Sequence, residues 1–304
     1  MLKKQKINGI HWIDGVGLSD KDIVKTLEKY KIHELDLEAC LEGNQRARVD
    51  KYDDYTFVVY HYPKYNRATK VYELNEFNMF LSKDFLITFR EFPFSRINKV
   101  FENYGEKKVS GESKKLKIST GYILYEITQA MLEKMFNMIK NIKLDIKNLE
   151  KKVFEKGNSS LVKEIMIKKR NIVVLKHMFK PQVALLKQLE HIVNELYAGE
   201  MEVYFEDLED KLDQILSDID ILAEYIDSVE DAFKAMIDIK TNFVLKVLAI
   251  FSAFLLPLTL ITSFYGMNIE LPTWTTPDFV YILLLGSVAI MFMVYLFLKK
   301  TGKF

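Results

Sequence analysis

Two apolar runs near the C-terminus, Val247–Tyr265 and Phe279–Leu298, constrain this chain more than anything else in it. Each holds about 20 residues without an Asp, Glu, Lys or Arg, the length a helix needs to cross a hydrocarbon core of ~30 Å. In lipid every backbone N–H and C=O needs an internal partner, so a helix is the form such a run takes. Only residues 266–278 separate the two. The expected product is a hairpin, with a first membrane helix over about 245–265, an outer loop over 266–278 and a second helix over 279–298. Lys240 and Lys246 precede the first run, Lys299, Lys300 and Lys303 follow the second, and the loop carries only Glu270 and Asp278. By the positive-inside rule both termini then face the cytoplasm, across a plasma or inner cell membrane. Trp274, Tyr281 and Tyr295 are the expected interface anchors.

The rest of the 304 residues is polar enough to bring the mean hydropathy close to zero. A formal net charge of +1 gives no basic field, which argues against a nucleic-acid partner. Cys40 is the single cysteine, without a partner for a disulfide or a thiolate metal site, and fits a reducing compartment. No apolar segment follows Met1-Leu2-Lys3-Lys4-Gln5-Lys6, so no signal peptide is expected. Asn158-Ser159-Ser160 matches a glycosylation acceptor but reads as a turn between helices.

Residues 1–118 read as a mixed α/β domain on the cytosolic side. Tyr55–Tyr60 and Phe85–Arg90 are β-branched and aromatic runs of strand length, and Lys70–Leu81 is expected to pair with them. Short helices are expected near Asp20–Tyr30 and Phe94–Tyr104. From about Gly121 the period becomes helical. Leu132, Met135, Ile139, Ile142, Ile146, Leu149 and Val153 recur at alternating three- and four-residue steps, the seam of a coiled coil. Gly157-Asn158-Ser159-Ser160 supplies a stop and a new N-cap. A second helix over about Leu161–Tyr197 contains Pro181, expected to kink it or to free one carbonyl, and Ala198-Gly199 ends it.

A third helix starts near Met201 and meets no breaker before Pro257, which lies inside the apolar run where helices tolerate it. Leu208, Leu212, Ile215, Ile219, Leu222, Ile226, Val229, Phe233 and Met236 keep the seam spacing. The organisation is therefore an α+β membrane protein: residues 1–118, a helical stalk over 119–242 with the start of one long helix, and a transmembrane hairpin over 243–304.

The acids on this helix share a face. Asp210, Glu224, Asp231 and Asp238 fall at one heptad position, with Ser217 in the gap, and Asp213, Asp220 and Asp227 at the next. Extended by sevens, the first series reaches Leu245, Ser252, Thr259 and Gly266, and a flanking one gives Asn242, Ala249, Leu256 and Ser263. A straight helix drifts ~20° per heptad, so holding this register implies a supercoiled bundle of several copies. A solvated stalk face with small polar residues at a helix contact gives the same pattern. The alternative is a pore lined by one helix per subunit, with an acidic vestibule that draws cations. Asn268 then stands at the outer mouth. A ring of its amide oxygens would accept hydrogen bonds from the water shell of a cation, which suits Mg²⁺ because Mg²⁺ dehydrates reluctantly. Gly266 permits a turn that other residues resist, and Leu245, Leu248 and Leu256 are candidate apolar constrictions.

Pro257-Leu258-Thr259-Leu260 and Tyr265-Gly266-Met267-Asn268 closely resemble the CorA family of magnesium transporters. Leu35–Cys40, Asn44-Gln45-Arg46 and Lys51–Tyr55 are similar to its N-terminal signature, and Leu81–Thr88 to the strand that follows. The resemblance implies a funnel-shaped homopentamer in the lipid bilayer, with Gly266, Met267 and Asn268 as selectivity motif and Asn268 on the metal. It places Asn242, Leu245, Leu248, Leu256 and Thr259 along the pore, to which the polar stripe adds Ser252 and Ser263. It also implies regulatory Mg²⁺ between subunits near Asp207 and Asp210. The partner acid it calls for is missing, since Glu91 is followed by Phe92-Pro93-Phe94-Ser95-Arg96.

The expected function is passage of divalent cations, Mg²⁺ first, with uptake down the electrochemical gradient and no organic cofactor. Zn²⁺, Co²⁺ or Ni²⁺ transport by the same fold is the alternative, and retention of Met267 tilts against zinc. His11, His33, His61, His177 and His191 are scattered and form no ligand pair. A membrane-tethered scaffold without a pore explains the heptads but not the polar stripe. No phosphate loop, nucleophile elbow or paired metal-ligand spacing points to an enzyme.

Overall fold

A computed structural model describes residues 1–110, 118–156, 158, 160–268 and 275–300. The chain divides into two compact units, Met1–Asp231 and Ala232–Phe304.

The first unit contains one six-stranded sheet in the order β1-β2-β6-β5-β4-β3. Its strands are β1 (Leu2–Ile7), β2 (Ile10–Val16), β3 (Arg48–Lys51), β4 (Thr56–Asn66), β5 (Val71–Leu81) and β6 (Phe85–Arg90). β2 and β6 run parallel, and the other neighbours are antiparallel. The three strands expected from sequence are β4, β5 and β6; β1, β2 and β3 were not anticipated. β4 and β5 form the longest hairpin, in register from Thr56↔Leu81 to Asn66↔Val71.

One face of the sheet carries Ile13, Phe57, Val59, Phe80, Ile87 and Phe89, packed against Ile23, Leu27, Ala39 and Cys40. The last four come from α1 (Asp20–Leu27) and α2 (Glu34–Glu42). Ser19 caps α1, accepting from the Asp22 N–H, and a 3-10 turn over Glu28–Tyr30 completes the helix expected there. Burial pushes the Cys40 thiol up to about 12, so it stays protonated and unreactive. The signature segment folds around Asp36 of α2, a buried carboxylate that accepts from Tyr55 Oη at 2.6 Å and Tyr52 Oη at 3.2 Å. Burial raises its pKa, against the pull of the two hydroxyls.

The opposite face buries a charge pair. Asp14 of β2 is bound by both terminal nitrogens of the Arg90 guanidinium and by Thr88 Oγ1, and Arg90 Nη2 also donates to Asn98 Oδ1 at 2.7 Å. Asn98 belongs to α3 (Ser95–Ser110), the helix expected over Phe94–Tyr104. Trp12 packs edge-on against Phe101 and Tyr104 of α3, at centroid distances of 4.8 and 5.9 Å.

Three long helices follow: α4 (Thr120–Lys156), α5 (Leu161–Leu196) and α6 (Glu202–Tyr265). Every seam residue expected on α4 is buried, as are those on α6 from Leu208 to Phe233, while Met236 is half-buried. α5 runs on through Pro181, which cannot donate to the His177 carbonyl. The next side chain, Gln182, donates from Nε2 to Met178 O and His61 O, tying this stretch to β4. Ser160 makes no side-chain capping bond; Asn158 Oδ1 accepts from its N–H instead. Gly157 and Ser159, expected in that turn, lie outside the described residues. Ala198 and Gly199, at φ +52° and +82°, close α5. At the start of α4 a Cβ on Gly121 would come within 2.9 Å of Tyr197 and Val193, so that helix contact requires glycine.

In the second unit, the C-terminal part of α6 and α7 (Pro277–Lys300) are both long and apolar enough to cross a membrane.

Candidate functional site

α6 is one helix of 64 residues, as its unbroken pattern predicts, and it continues through Pro257 to Tyr265. Asn242, Leu245, Leu248, Ser252, Leu256, Thr259 and Ser263 are all exposed on it. Leu245, Leu248 and Leu256 are 56%, 58% and 67% exposed, a large apolar surface that marks a membrane- or partner-facing segment. The side of α6 toward α7 adjoins this series and takes Ala249 from the flanking one. A cavity of 430 Å³ between the two helices is lined by Ala249, Ile250, Ala253 and Phe254 of α6 and by Ile290, Met291, Val294 and Tyr295 of α7. At ~100° per residue, the cavity-lining residues of α6 and the centre of the series from Asn242 to Ser263 lie roughly a third of a turn apart.

Thr259 folds its hydroxyl back on the helix, donating to Leu255 O at 3.0 Å and Leu256 O at 2.9 Å. Its one hydrogen is thereby committed, which leaves an oxygen lone pair to accept from outside the helix. Thr262 does the same toward Leu258 and Thr259.

The helix ends at the Gly-Met-Asn triplet. The Gly266 N–H donates to Thr262 O at 2.9 Å and the Met267 N–H to Phe264 O at 3.4 Å. Gly266 does not have a positive φ. Its requirement for glycine is one of space: a Cβ there would stand 2.9 Å from the Thr262 carbonyl oxygen. Met267 and Asn268 are exposed, as is Tyr281, while Tyr295 is half-buried. Trp274 and Glu270 of the loop and Lys303 at the C-terminus lie outside the described residues.

On the first unit the acidic row splits in two. Asp210, Glu224 and Asp231 are exposed. Asp220 and Asp227 are ion-paired to α5, with Lys176 Nζ at 2.6 Å and Lys169 Nζ at 2.8 Å. Lys169 also holds Glu230 at 2.6 Å. The cations that pair with this part of the row come from α5, outside α6. Lys169 and Lys176 stand one heptad apart, as do Asp220 and Asp227, and that matched spacing was a readable signal. Asp207 is also engaged, by Lys211 one helical turn on and by Tyr125 Oη of α4 at 3.2 Å. Asp207 and Asp210 are not brought together with a third ligand. Among the described residues no three Asp, Glu, His or Cys side chains converge in a way that could hold a metal ion.

Two further groups escaped the sequence. Glu209 is half-buried, and burial, with the neighbouring Glu190 carboxyl, pushes it up to about 7. Phe92, in the loop where the resemblance implies a regulatory acid, is covered by the Lys64 ammonium.

A mixed α/β sheet domain, long seam-packed helices and a membrane-length hairpin ending in Gly-Met-Asn define a membrane transporter of divalent cations. The model of the CorA-like Mg²⁺ transporter proteins matches residues 8–300, and the chain belongs to that family. It is 29% identical over 295 residues to the cobalt/magnesium transport protein CorA of Thermotoga maritima, covering 95% of this chain and 82% of that one. The fold is that of the complete CorA magnesium transporter of Methanocaldococcus jannaschii, with a TM-score of 0.81 at 21% identity, over 95% of this chain and 90% of the other. It is also that of full-length CmaX, with a TM-score of 0.75 at 17% identity, over 95% and 88%.

Proposed function

We propose that the chain assembles as a homopentamer in the cell membrane and conducts Mg²⁺ inward down its electrochemical gradient. One α6 from each subunit lines the pore, with both termini in the cytoplasm. The carrying observation is that Asn242, Leu245, Leu248, Ser252, Leu256, Thr259 and Ser263 share one side of α6, roughly a third of a turn from the residues lining the cavity with α7. Copies of α6 brought together on that face enclose a path that alternates acceptor oxygens with apolar rings. Serine and threonine hydroxyls are inexpensive to keep in a water-filled lumen, and leucine rings gate by dewetting.

Gly266, Met267 and Asn268 form the outer mouth. Five Asn268 amides present neutral oxygens to the water shell of the incoming ion, and Mg²⁺ crosses this point without surrendering that shell. Gly266 sets the position of the ring because its N–H holds the last turn against Thr262.

Asp207 and Asp210 serve as the cytosolic sensor. Bound Mg²⁺ screens repulsion between like-charged helices and holds the closed state, and its loss lets them separate. The Asp207–Lys211 pair supports a tunable version of this site, because a cation must compete with the Lys211 ammonium.

A competition flux assay on purified protein in liposomes tests the reading. Mg²⁺ flux that persists beside Zn²⁺, Co²⁺ and Ni²⁺ supports it. Preferential passage of one of those three reassigns the ion, and no flux of any ion leaves a non-conducting scaffold.

A further inference from the structure

A cavity of 540 Å³ opens beside the β4–β5 hairpin, bounded by the Phe92–Phe94 loop and by α4. Its lining contains two lysines, Lys64 and Lys134, and no Asp or Glu. Both ammonium groups rest on aromatic rings. Lys64 Nζ sits over Phe92, and Lys134 Nζ lies 4.2 Å from the Phe94 centroid. A ring face holds an ammonium in place by its quadrupole without neutralising it, whereas a carboxylate would cancel the charge.

Two of the surrounding acids, Glu133 and Asp145, are ion-paired elsewhere. Glu73, the cross-strand partner of Lys64, accepts from Asn66 Nδ2 at 2.7 Å. Glu133, next to Lys134, pairs with Arg96 at 2.7 Å, and Asp145 pairs with Lys168. Lys134 has its pKa lowered, by burial first and by the Arg96 charge second. Two ammonium groups beside a cavity whose lining carries no carboxylate give it the charge that suits an anion.

The rest of the lining is aromatic and amide. Tyr65 and Tyr72 flank the space with ring centroids 5.1 Å apart, and Tyr65 is 44% exposed. Asn137 and Asn141 of α4 add amide groups; Asn137 Nδ2 donates to Glu133 O, which leaves its carbonyl oxygen to accept. The volume falls in the range of small-molecule sites, roughly 300–1,000 Å³.

We propose that this cavity binds a small organic anion bearing an aromatic ring, of nucleoside-monophosphate size, with the anionic group on Lys64 and Lys134 and the ring against Tyr65 and Tyr72. The proposal is independent of the pore and of which ion it passes.

Calorimetric titration of AMP into the full chain in detergent micelles tests it, since AMP joins a phosphate to a ring. Saturable binding is expected. Lys64→Gln and Lys134→Gln should each weaken it about tenfold, the loss of one charged hydrogen bond, while Lys21→Gln on α1 leaves it unchanged. Adenosine and inorganic phosphate should each bind at least about tenfold more weakly than AMP. Thermal unfolding of each variant checks that it remains folded. Absence of AMP binding, or binding indifferent to both lysines, overturns the proposal. Phosphate binding as tightly as AMP overturns the aromatic half of it.

Discussion

Arg90 Nη2 lies 3.0 Å from Asp14 Oδ2, and the two side chains are 0% and 1% exposed. This pair ties the parallel neighbours β2 and β6 and reaches α3 through Asn98. Removing one member of a buried pair strands the other charge without solvent, at a cost of roughly 3–5 kcal/mol. Asp14→Ala should lose about that much stability in denaturant titrations followed by Trp12 fluorescence. Replacing both residues, Asp14→Leu with Arg90→Met, should recover most of the loss. Equal losses in the single and double variants would mean that packing, not charge, holds these strands.

Glu209 supplies a pH dependence of defined sign. Its folded carboxyl is pushed up to about 7, while the unfolded one titrates near the ordinary ~4.3. Between those values the native state holds more protons than the unfolded state, so stability falls as pH rises through the window. Below the unfolded value the penalty is absent. Glu209→Gln removes the ionisation, so its thermal midpoint should exceed that of the parent protein above about pH 7, the gap closing toward about pH 4. A gap that does not change with pH contradicts this account.

Gly266→Ala introduces a Cβ 2.9 Å from the Thr262 carbonyl, which can be relieved only by moving the end of α6. Gly286→Ala in α7 meets nothing within 4 Å. The first variant should insert in the membrane but lose ion flux, and the second should conduct as the parent does. Flux retained in both variants would separate the mouth geometry from conduction.

Asp207 and Lys211 offer opposite perturbations of one group. Asp207→Asn with Asp210→Asn should raise the Mg²⁺ concentration at which conduction shuts off. Lys211→Met frees the Asp207 carboxylate and should lower it. Flux measured against internal Mg²⁺ gives both midpoints, and midpoints that stay put make these ordinary solvated acids.

The sequence was legible wherever one period dominated. The α4 and α6 seams repeat every heptad and bury every expected residue as far as Phe233, and α6 stayed unbroken because only Pro257, inside the apolar run, interrupts it. β1 was hidden because Lys3-Lys4-Gln5-Lys6 gives an edge strand no apolar alternation, and β2 because it buries Asp14 beside Trp12 and Ile13. Neither residue pattern shows that a distant Arg90 makes such a charge tolerable. α2 escaped for the same reason, since Asp36 is buried on it and satisfied by tyrosines sixteen and nineteen residues away. At the candidate site the polar stripe was legible from heptad spacing, and the motif and Leu248 from the family resemblance. The partners of Asp220 and Asp227 could not be read along α6, because Lys176 and Lys169 belong to α5. The glycine requirement at Gly266 was anticipated, but its cause is a carbonyl in the way and not a left-handed turn.

Mg²⁺ flux into liposomes through Asn268→Ala, measured beside the parent protein, tests the central claim most directly. The account predicts Mg²⁺ uptake by the parent and its loss in the variant, with both proteins inserted to the same extent. Undiminished uptake through Asn268→Ala would contradict a selectivity ring at that residue.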